Sequence, residues 1–163
     1  MHIILKNNFL YFNHYKIKCV VGKRGISKNK KEGDQCTPVG KFRFKTLFYR
    51  SDRIKKFKTH ISRKIIRKNM GWCDDPMSKK YNKLIRFPFS GSAEKLFLKK
   101  NIYDLLLVIS YNTSPIIPHK GSAIFLHLTD KKFSPTKGCV AIKKEDFFRI
   151  LPMIKEKTRI IIG

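Results

Sequence analysis

The segment His127-Leu-Thr-Asp-Lys-Lys-Phe-Ser-Pro-Thr-Lys-Gly-Cys139 follows directly on the apolar run Ala123-Ile124-Phe125-Leu126. A short apolar run of this kind is typical of a buried strand, and it brings His127 to the end of that strand. The Ser-Pro-Thr-Lys-Gly sequence inside the segment is typical of a turn, because proline restricts φ and glycine accepts a positive φ. Val140-Ala141-Ile142 then resumes an apolar strand. The pattern predicts two adjacent strands, joined by one loop, with an imidazole and a thiol at their ends.

A cysteine beside a histidine is the arrangement of a nucleophilic thiol. A free cysteine has a pKa of about 8.5, so only a small fraction is thiolate at neutral pH, and a neighbouring imidazole can accept its proton. The backbone N–H groups of Gly138 and Cys139 can stabilise an oxyanion, a contribution of about 10²–10³ in rate for each donor. An inert buried thiol is the alternative, because cysteine is among the most buried residues. The combination in one short loop favours catalysis, with Cys139, His127 and Gly138 as catalytic residues.

These residues resemble the signature of the L,D-transpeptidases with a YkuD-type catalytic domain, a His followed by Ser/Thr-x-Gly-Cys. Upstream, the stretch Gly33-Asp-Gln-Cys-Thr-Pro-Val-Gly40 resembles the Gly-x-x-x-Thr-Pro-x-Gly turn of that family. Gly71-Trp-Cys-Asp-Asp-Pro76, Tyr81-Asn82 and Gly121-Ser-Ala-Ile-Phe-Leu-His127 resemble a short subgroup of it. The resemblance covers nearly the whole chain, which is expected to be a single catalytic domain over residues 1–163 without an appended module.

Two positions depart from the commonest form of the signature. Lys137 stands before the glycine, where the family usually has a histidine, and Ala141 stands two residues after the cysteine, where a polar residue such as Arg or Asn is usual. The departures concern the substrate contacts more than the nucleophile.

The resemblance implies a mainly β fold, an L,D-transpeptidase-like β-sandwich or barrel with one or two short flanking helices. It also implies an enzyme without a cofactor that cleaves a peptidoglycan stem peptide between an L-centre and a terminal D-amino acid, through a thioester on Cys139 with His127 as the base. An amine acceptor would give a cross-link, and water would make the protein an L,D-carboxypeptidase; both alternatives stay open. The family further implies a thiol that carbapenem-type β-lactams acylate.

Further residues are candidates for contacts with the substrate. The indole, the paired acids and the tyrosine between residues 72 and 82 can shape a pocket for a cationic or amphoteric substrate, or can merely staple a loop. The candidate substrate-binding residues are Thr136, Lys137, Trp72, Asp74, Tyr81 and Asn112.

The formal net charge of +26 raises nucleic acid or an anionic membrane surface as partners. Aromatic residues such as Phe42, Phe44 and Tyr49 lie between basic residues, a feature of surfaces that bind single-stranded nucleic acid. No recognisable RNA- or DNA-binding signature accompanies them, and the lysines are spread along the chain. A basic nucleic-acid-binding β domain is therefore the disfavoured alternative, and an anionic cell-wall polymer with peptide stems fits the same charge.

The four cysteines, Cys19, Cys36, Cys73 and Cys139, show no C-x-x-C spacing and no histidine at the offset of a metal ligand. We therefore expect no metal site and no disulfide framework. No signal peptide is visible at the start and no stretch reaches the length of a membrane span. The chain is expected to be cytoplasmic if the sequence is complete, whereas the family implies the periplasm or the cell envelope.

Local patterns predict the secondary structure. Isoleucine and phenylalanine at helical spacing favour an amphipathic helix over residues 51–68, although the corresponding stretch of the family subgroup is irregular. Ser92 as N-cap predicts a short helix to Leu98, and a second helix is expected over residues 145–150, stopped or bent by Pro152. Residues 72–82 are expected to be a loop. Strands are expected over residues 2–5, 9–15, 17–21, 41–44, 105–110 and 158–162.

Overall fold

A computed structural model describes all residues, Met1–Gly163, and its largest element is a mixed β-sheet. The strands are β1 (Ile3–Lys6), β2 (Phe9–Phe12), β3 (Tyr15–Val20), β4 (Ile26–Ser27), β5 (Thr37–Pro38), β6 (Gly40–Tyr49), β7 (Arg63–Ile65), β8 (Met70–Cys73), β9 (Leu84–Arg86), β10 (Ala93–Lys95), β11 (Leu105–Ile109), β12 (Phe125–Leu128), β13 (Val140–Ile142) and β14 (Arg159–Ile162). One α-helix, α1 (Lys144–Ile150), and two 3-10 turns, Asn101–Tyr103 and Leu151–Met153, complete the secondary structure. None of these helices has the length and apolar composition needed to cross a bilayer.

The long strand β6 closes the large sheet on itself. The strand order is β11-β12-β13-β3-β2-β1-β14-β6-β7, and β6 also pairs with β11. The first residues of β6 pair with β14 and the later ones with β11, so the sheet returns to its starting strand. The predicted mainly β sandwich or barrel is therefore confirmed, with α1 as the short flanking helix.

A second sheet of three short strands, in the order β10-β8-β9, accompanies the barrel. Between the two sheets lies a second apolar cluster, separate from the core inside the barrel. Phe48 of β6 and Phe125 of β12 reach it from the barrel, and Trp72 of β8 and Leu96 from the smaller sheet. In this part of the barrel wall β11, β12 and β13 are consequently buried on both faces, and their outer face is the one that carries Cys139.

Most of the predicted strands are confirmed. The strands over residues 41–44, 105–110 and 158–162 correspond to parts of β6, β11 and β14. The predicted strand over residues 9–15 is divided, because Asn13 adopts a φ of 56° and turns the chain between β2 and β3. The helix expected over residues 145–150 is α1, and the chain continues from it into a 3-10 turn that contains Pro152.

The helix that the apolar spacing favours over residues 51–68 is wrong. The segment is irregular until β7, which pairs in parallel with the end of β6. Ile54 and Ile61 are buried in the barrel core, whereas Ile65 is exposed. Arg53 binds Asp104 at 2.8 Å and the carbonyl of Lys99 at 3.0 Å. Ile54 and Ile61 therefore attach an irregular segment to the core at two separate points, because tertiary contacts override the local helical pattern.

The helix predicted from Ser92 to Leu98 is also wrong. Residues 93–95 form β10, in which Glu94 pairs with Trp72 of β8. The Ser92 hydroxyl does not cap a helix but donates to Asp74 at 2.6 Å. The predicted loop over residues 72–82 is corrected at its start, since Trp72 and Cys73 belong to β8. In both places the pairing of three short strands provides backbone partners that the local sequence does not reveal.

Candidate active site

The alternation of side chains along β12 and β13 brings the predicted catalytic pair to one face. The two strands are parallel, with His127 opposite Ala141 and Leu126 opposite Val140. Leu126 and Val140 point into the barrel core, and side chains alternate along a strand, so His127 and Cys139 share the outer face. Strand spacing and rise place their Cα atoms roughly 8 Å apart, on neighbouring strands. This distance lets an imidazole reach toward a thiol without a change in the sheet.

A cavity of about 710 Å³ opens on this outer face. His127 and Cys139 both line it, together with Thr136 and Lys137 from the loop between β12 and β13. Residues from the smaller sheet and from the loop before β5 form other parts of its wall, including Asp74, Glu94 and Glu32. The volume is in the range of pockets that bind small ligands and peptide segments.

The Cys139 thiol is buried and held by backbone groups. Cys139 is only 7% exposed. Its S–H donates to the carbonyl of Ala123 at 3.1 Å, and its Sγ accepts the N–H of Phe125 at 3.4 Å. Burial raises the pKa of this thiol, the negative charge of Glu94 raises it further, and the Phe125 N–H and Lys30 lower it. At neutral pH the group is therefore a thiol and needs a base to become a nucleophile.

His127 supplies a neutral imidazole on the same face. Its Nδ1 donates to the carbonyl of Leu128 at 2.9 Å, which leaves the lone pair of a neutral ring on Nε2. Burial lowers the pKa of His127 to about 4, while the carbonyls of Leu128 and Ile102 act in the opposite direction. The ring of Tyr103 packs edge-on against the imidazole at 5.1 Å. A histidine held in this way is uncharged at neutral pH.

The loop that carries Cys139 is braced by Thr136. The Thr136 hydroxyl donates to the carbonyl of Cys139 at 2.6 Å and accepts the N–H of Gly138 at 3.1 Å. The Gly138 N–H is thus engaged inside the loop, contrary to its expected role as an oxyanion donor, whereas no hydrogen bond of the turns and loops uses the Cys139 N–H. Gly138 has a φ of +138°, and a Cβ there would lie 2.8 Å from the carbonyl oxygen of Cys36.

The glycine- and threonine-containing turn at residues 33–40 supports the same loop from outside. Thr136 exchanges backbone hydrogen bonds with the chain near Gly22, through the carbonyl of Val21 and the N–H of Lys23. The Gly22 N–H donates to Thr37 Oγ1 at 2.8 Å. A parallel β12–β13 connection without a helix is thereby fixed by hydrogen bonds to a neighbouring loop, since parallel strands lack the short hairpin that fixes an antiparallel pair.

Comparison with known families agrees with this geometry. The family model YkuD, the L,D-transpeptidase catalytic domain, matches residues 3–162. The chain belongs to the YkuD family. Comparisons with curated proteins and with solved structures gave no match.

Three of the six predicted substrate-binding residues line the cavity of this YkuD domain, namely Thr136, Lys137 and Asp74. The other three serve the framework. Trp72 is 7% exposed, donates from Nε1 to Asn82 at 2.9 Å and packs on Phe125. A buried tryptophan commonly packs its ring against other apolar side chains and donates its indole N–H to a hydrogen-bond acceptor.

Tyr81 and Asn112 are also framework residues. The Tyr81 hydroxyl donates to Glu32 at 2.5 Å and accepts the N–H of Gly121 at 2.9 Å. The Asn112 amide donates to the carbonyls of Ile117 and Gly121, at 2.9 Å each. Both side chains shape the segment that leads into β12, and neither reaches the cavity wall.

The sequence patterns did not indicate two residues that lie beside the predicted catalytic pair. Tyr103, in the 3-10 turn before β11, is 5% exposed and donates its hydroxyl to Glu94 of β10. Burial raises the pKa of Tyr103, and Cys139 and Glu94 act in the same direction. No local motif marks Tyr103, and the helix predicted from Ser92 to Leu98, which does not form, would have Glu94 in its first turn. Glu94 reaches the cavity because its segment pairs with the strand of Trp72, and this pairing is not visible in the local sequence.

Proposed function

We propose that the chain is a cysteine-dependent L,D-transpeptidase that acts on peptidoglycan stem peptides through a thioester on Cys139. Membership of the YkuD family supports the class of reaction. The observation that carries the assignment to these residues is the common face of β12 and β13, which directs a neutral imidazole and a protonated thiol into one cavity. Thiol and base are complementary, because one has a proton to give and the other has a free lone pair.

The first half of the reaction forms the thioester. Sγ of Cys139 attacks the carbonyl carbon of the L-centre while its proton passes to Nε2 of His127, and the carbonyl oxygen becomes an oxyanion. The C–N bond then breaks, and His127 returns the proton to the amine of the departing D-amino acid. The free N–H of Cys139 is the donor available to the oxyanion, since Thr136 engages that of Gly138.

The second half transfers the acyl group. An amine of a second stem attacks the thioester carbon, His127 takes a proton from that amine, and the proton returns to Sγ as the C–S bond breaks. The product is a cross-link. Water as acceptor would give the shortened stem and make the protein an L,D-carboxypeptidase, and peptidoglycan as the substrate implies action in the cell envelope.

The test combines product analysis with trapping of the thiol. A tetrapeptide stem is incubated with the protein, and mass spectrometry separates a cross-linked dimer from a shortened tripeptide, with release of the D-amino acid in either case. A carbapenem-type β-lactam should add to Cys139, located by peptide mapping, and the Cys36→Ala control should keep both activities. No release of the D-amino acid together with an adduct on another cysteine would contradict the proposal.

A further inference from the structure

The cavity next to Cys139 has an unusual charge for this chain. Lys and Arg number 37 against 11 Asp and Glu, yet Glu32, Asp74 and Glu94 line the same cavity, which Asp130 and only three cations, Lys30, Lys100 and Lys137, also line. None of these acids is in a salt bridge, and the nearby Lys30 is already bound to Asp34 at 2.5 Å. In a chain with so many cations, acids without a cationic partner at the catalytic cavity point to a cation that comes from outside.

Neutral hydroxyl groups hold each of these carboxylates in place. Tyr81 donates to Glu32 at 2.5 Å, Ser92 donates to Asp74 at 2.6 Å, and Tyr103 donates to Glu94. A hydroxyl donor orients a carboxylate without neutralising its charge, so the acids remain available to a ligand. No group of His, Cys, Asp or Glu has the arrangement of a metal site, which favours an organic cation.

Unused polar atoms provide a second and independent indication of a polar ligand. Only two buried side-chain oxygen or nitrogen atoms lack a hydrogen-bond partner, Ser122 Oγ and Thr129 Oγ1, and both residues line this cavity. Ser122 is 8% exposed. Unsatisfied buried polar atoms are rare in folded proteins because each one costs free energy, and a bound ligand with polar groups satisfies them.

Glu94 is the acid that acts on the nucleophile. It is half-buried, and among the acids it is the one whose charge opposes ionisation of the Cys139 thiol. Burial raises the pKa of Glu94, and Asp74 and Glu32 act in the same direction, whereas the Tyr103 hydroxyl and Lys137 favour the charged form. A cation bound here would relieve the repulsion among the acids and also the repulsion between Glu94 and a developing thiolate.

We propose that Glu94 is a specificity-determining residue that binds an ammonium group of the donor peptide and thereby removes the negative charge that opposes attack by Cys139. The inference rests on the proposed function. The ammonium belongs to the donor and not to the acceptor, because an acceptor amine must lose its proton before it attacks, and a carboxylate would retain that proton. Donor binding therefore activates the thiol, while the free enzyme keeps it protonated.

The main experiment compares two donor stems that differ in one group, a side-chain amine on the residue whose carbonyl is attacked, either free or N-acetylated. The wild type should turn over the free amine about 10–100-fold better in kcat/KM, the effect of one hydrogen bond to a charged group. In Glu94→Gln, which keeps an oxygen for the Tyr103 hydroxyl, the preference should fall to within about threefold. Glu156→Gln removes one exposed charge outside the cavity and should leave the preference unchanged.

A second readout does not depend on turnover. The rate of Cys139 alkylation by neutral iodoacetamide is followed against pH by peptide mapping, without substrate. In Glu94→Gln the alkylation profile of Cys139 should shift to lower pH, while the core residue Cys19 should stay as unreactive as in the wild type, because loss of structure would expose both thiols. An unshifted profile, or an equal loss of activity on both donors in Glu94→Gln, would overturn the inference.

Failure of the proposed function gives a different result. If the wild type turns over neither donor, binding of the two peptides is measured by calorimetry. Tighter binding of the free amine in the wild type but not in Glu94→Gln, with the shifted alkylation profile, would retain the role of Glu94 and reject the transpeptidase. Equal binding of the two peptides to the wild type would reject the role of Glu94.

Discussion

The barrel interior and the cavity face lie on opposite sides of the wall that contains β12 and β13, and each has a buried cysteine. Cys19 of β3 pairs with Ile142, is 1% exposed and lies in the apolar core, where burial alone raises its pKa to about 12. Cys139, on the other face, is also buried, but Phe125 N–H, Lys30 and Glu94 act on its pKa as well. Burial makes both thiols poor nucleophiles at neutral pH, and only the one with polar neighbours can be switched by a base or a ligand.

The largest expected effect separates the two thiols. Cys139→Ala should lower release of the D-amino acid by about 10³-fold or more, because the nucleophile is lost. Cys19→Ala should keep the activity and reduce the free energy of unfolding by about 1–2 kcal/mol, because it leaves a small cavity in the apolar core. Enzyme assays and urea unfolding of both variants measure the two quantities. Full turnover by Cys139→Ala would exclude that residue as the nucleophile.

A medium effect concerns the pH dependence on the cavity face. The pKa of His127 is about 4 in the folded protein and about 6.5 in an unfolded chain, so only the unfolded chain binds this proton between the two values. His127 should therefore cost about 3 kcal/mol of stability as the pH falls from 7 to 4. Urea unfolding of the wild type and of His127→Gln at both pH values checks this. Between pH 7 and pH 4 the wild type should lose about 3 kcal/mol more of its free energy of unfolding than His127→Gln does. Equal losses in the two proteins would show that His127 is not buried in its neutral form.

The smallest effect concerns the loop that positions Cys139. Cys19, in the barrel interior, lies within a strand and does not depend on such a loop. Gly138→Ala places a Cβ at 2.8 Å from the Cys36 carbonyl oxygen at a φ of +138°, whereas Gly25→Ala has a φ of +82° and open space around it. Both variants should lose about 1 kcal/mol from backbone strain, and Gly138→Ala about 1–2 kcal/mol more from the displaced loop. Thermal unfolding and turnover compare them. Equal stability and equal activity of the two variants would contradict the role given to Gly138.

The secondary structure of the predicted catalytic segment could be inferred from sequence because its signals are local. The apolar runs on either side of the loop, the turn residues and the single His and Cys between them predicted the strand–loop–strand order that β12 and β13 show. The parallel pairing of the two strands required the tertiary structure. A loop of this length can return the chain as a hairpin or cross to a parallel neighbour, and the hydrogen bonds of Thr136 to the chain near Gly22 select the second.

The predicted substrate residues show where local reasoning stops. Trp72, Tyr81 and Asn112 are polar-tipped or polar groups in a glycine- and proline-containing region, a composition that fits a pocket as well as a framework. Tyr81 binds Glu32, which is 49 residues away in the sequence. Trp72 binds Asn82 and Asn112 binds Gly121, at separations of 10 and 9 residues. These partners decide the framework role of the three side chains. The prediction for Glu94 is wrong because Ser92 and Glu94 fit the start of a helix by local pattern, whereas the segment pairs with β8 as a strand.

The sequence by itself determined the mainly β class, the likeness to the YkuD family over nearly the whole chain and the His and Cys that carry the proposed chemistry, because strand patterns, turns and a short motif are properties of neighbouring residues. Tertiary structure alone decided which groups surround the thiol. The pairing of β10 with β8 brings Glu94 to Tyr103, and the closure of the barrel places His127 and Cys139 on its outer face. Burial and charge at Cys139 arise from contacts between distant segments, and such contacts form only when the sheets pack.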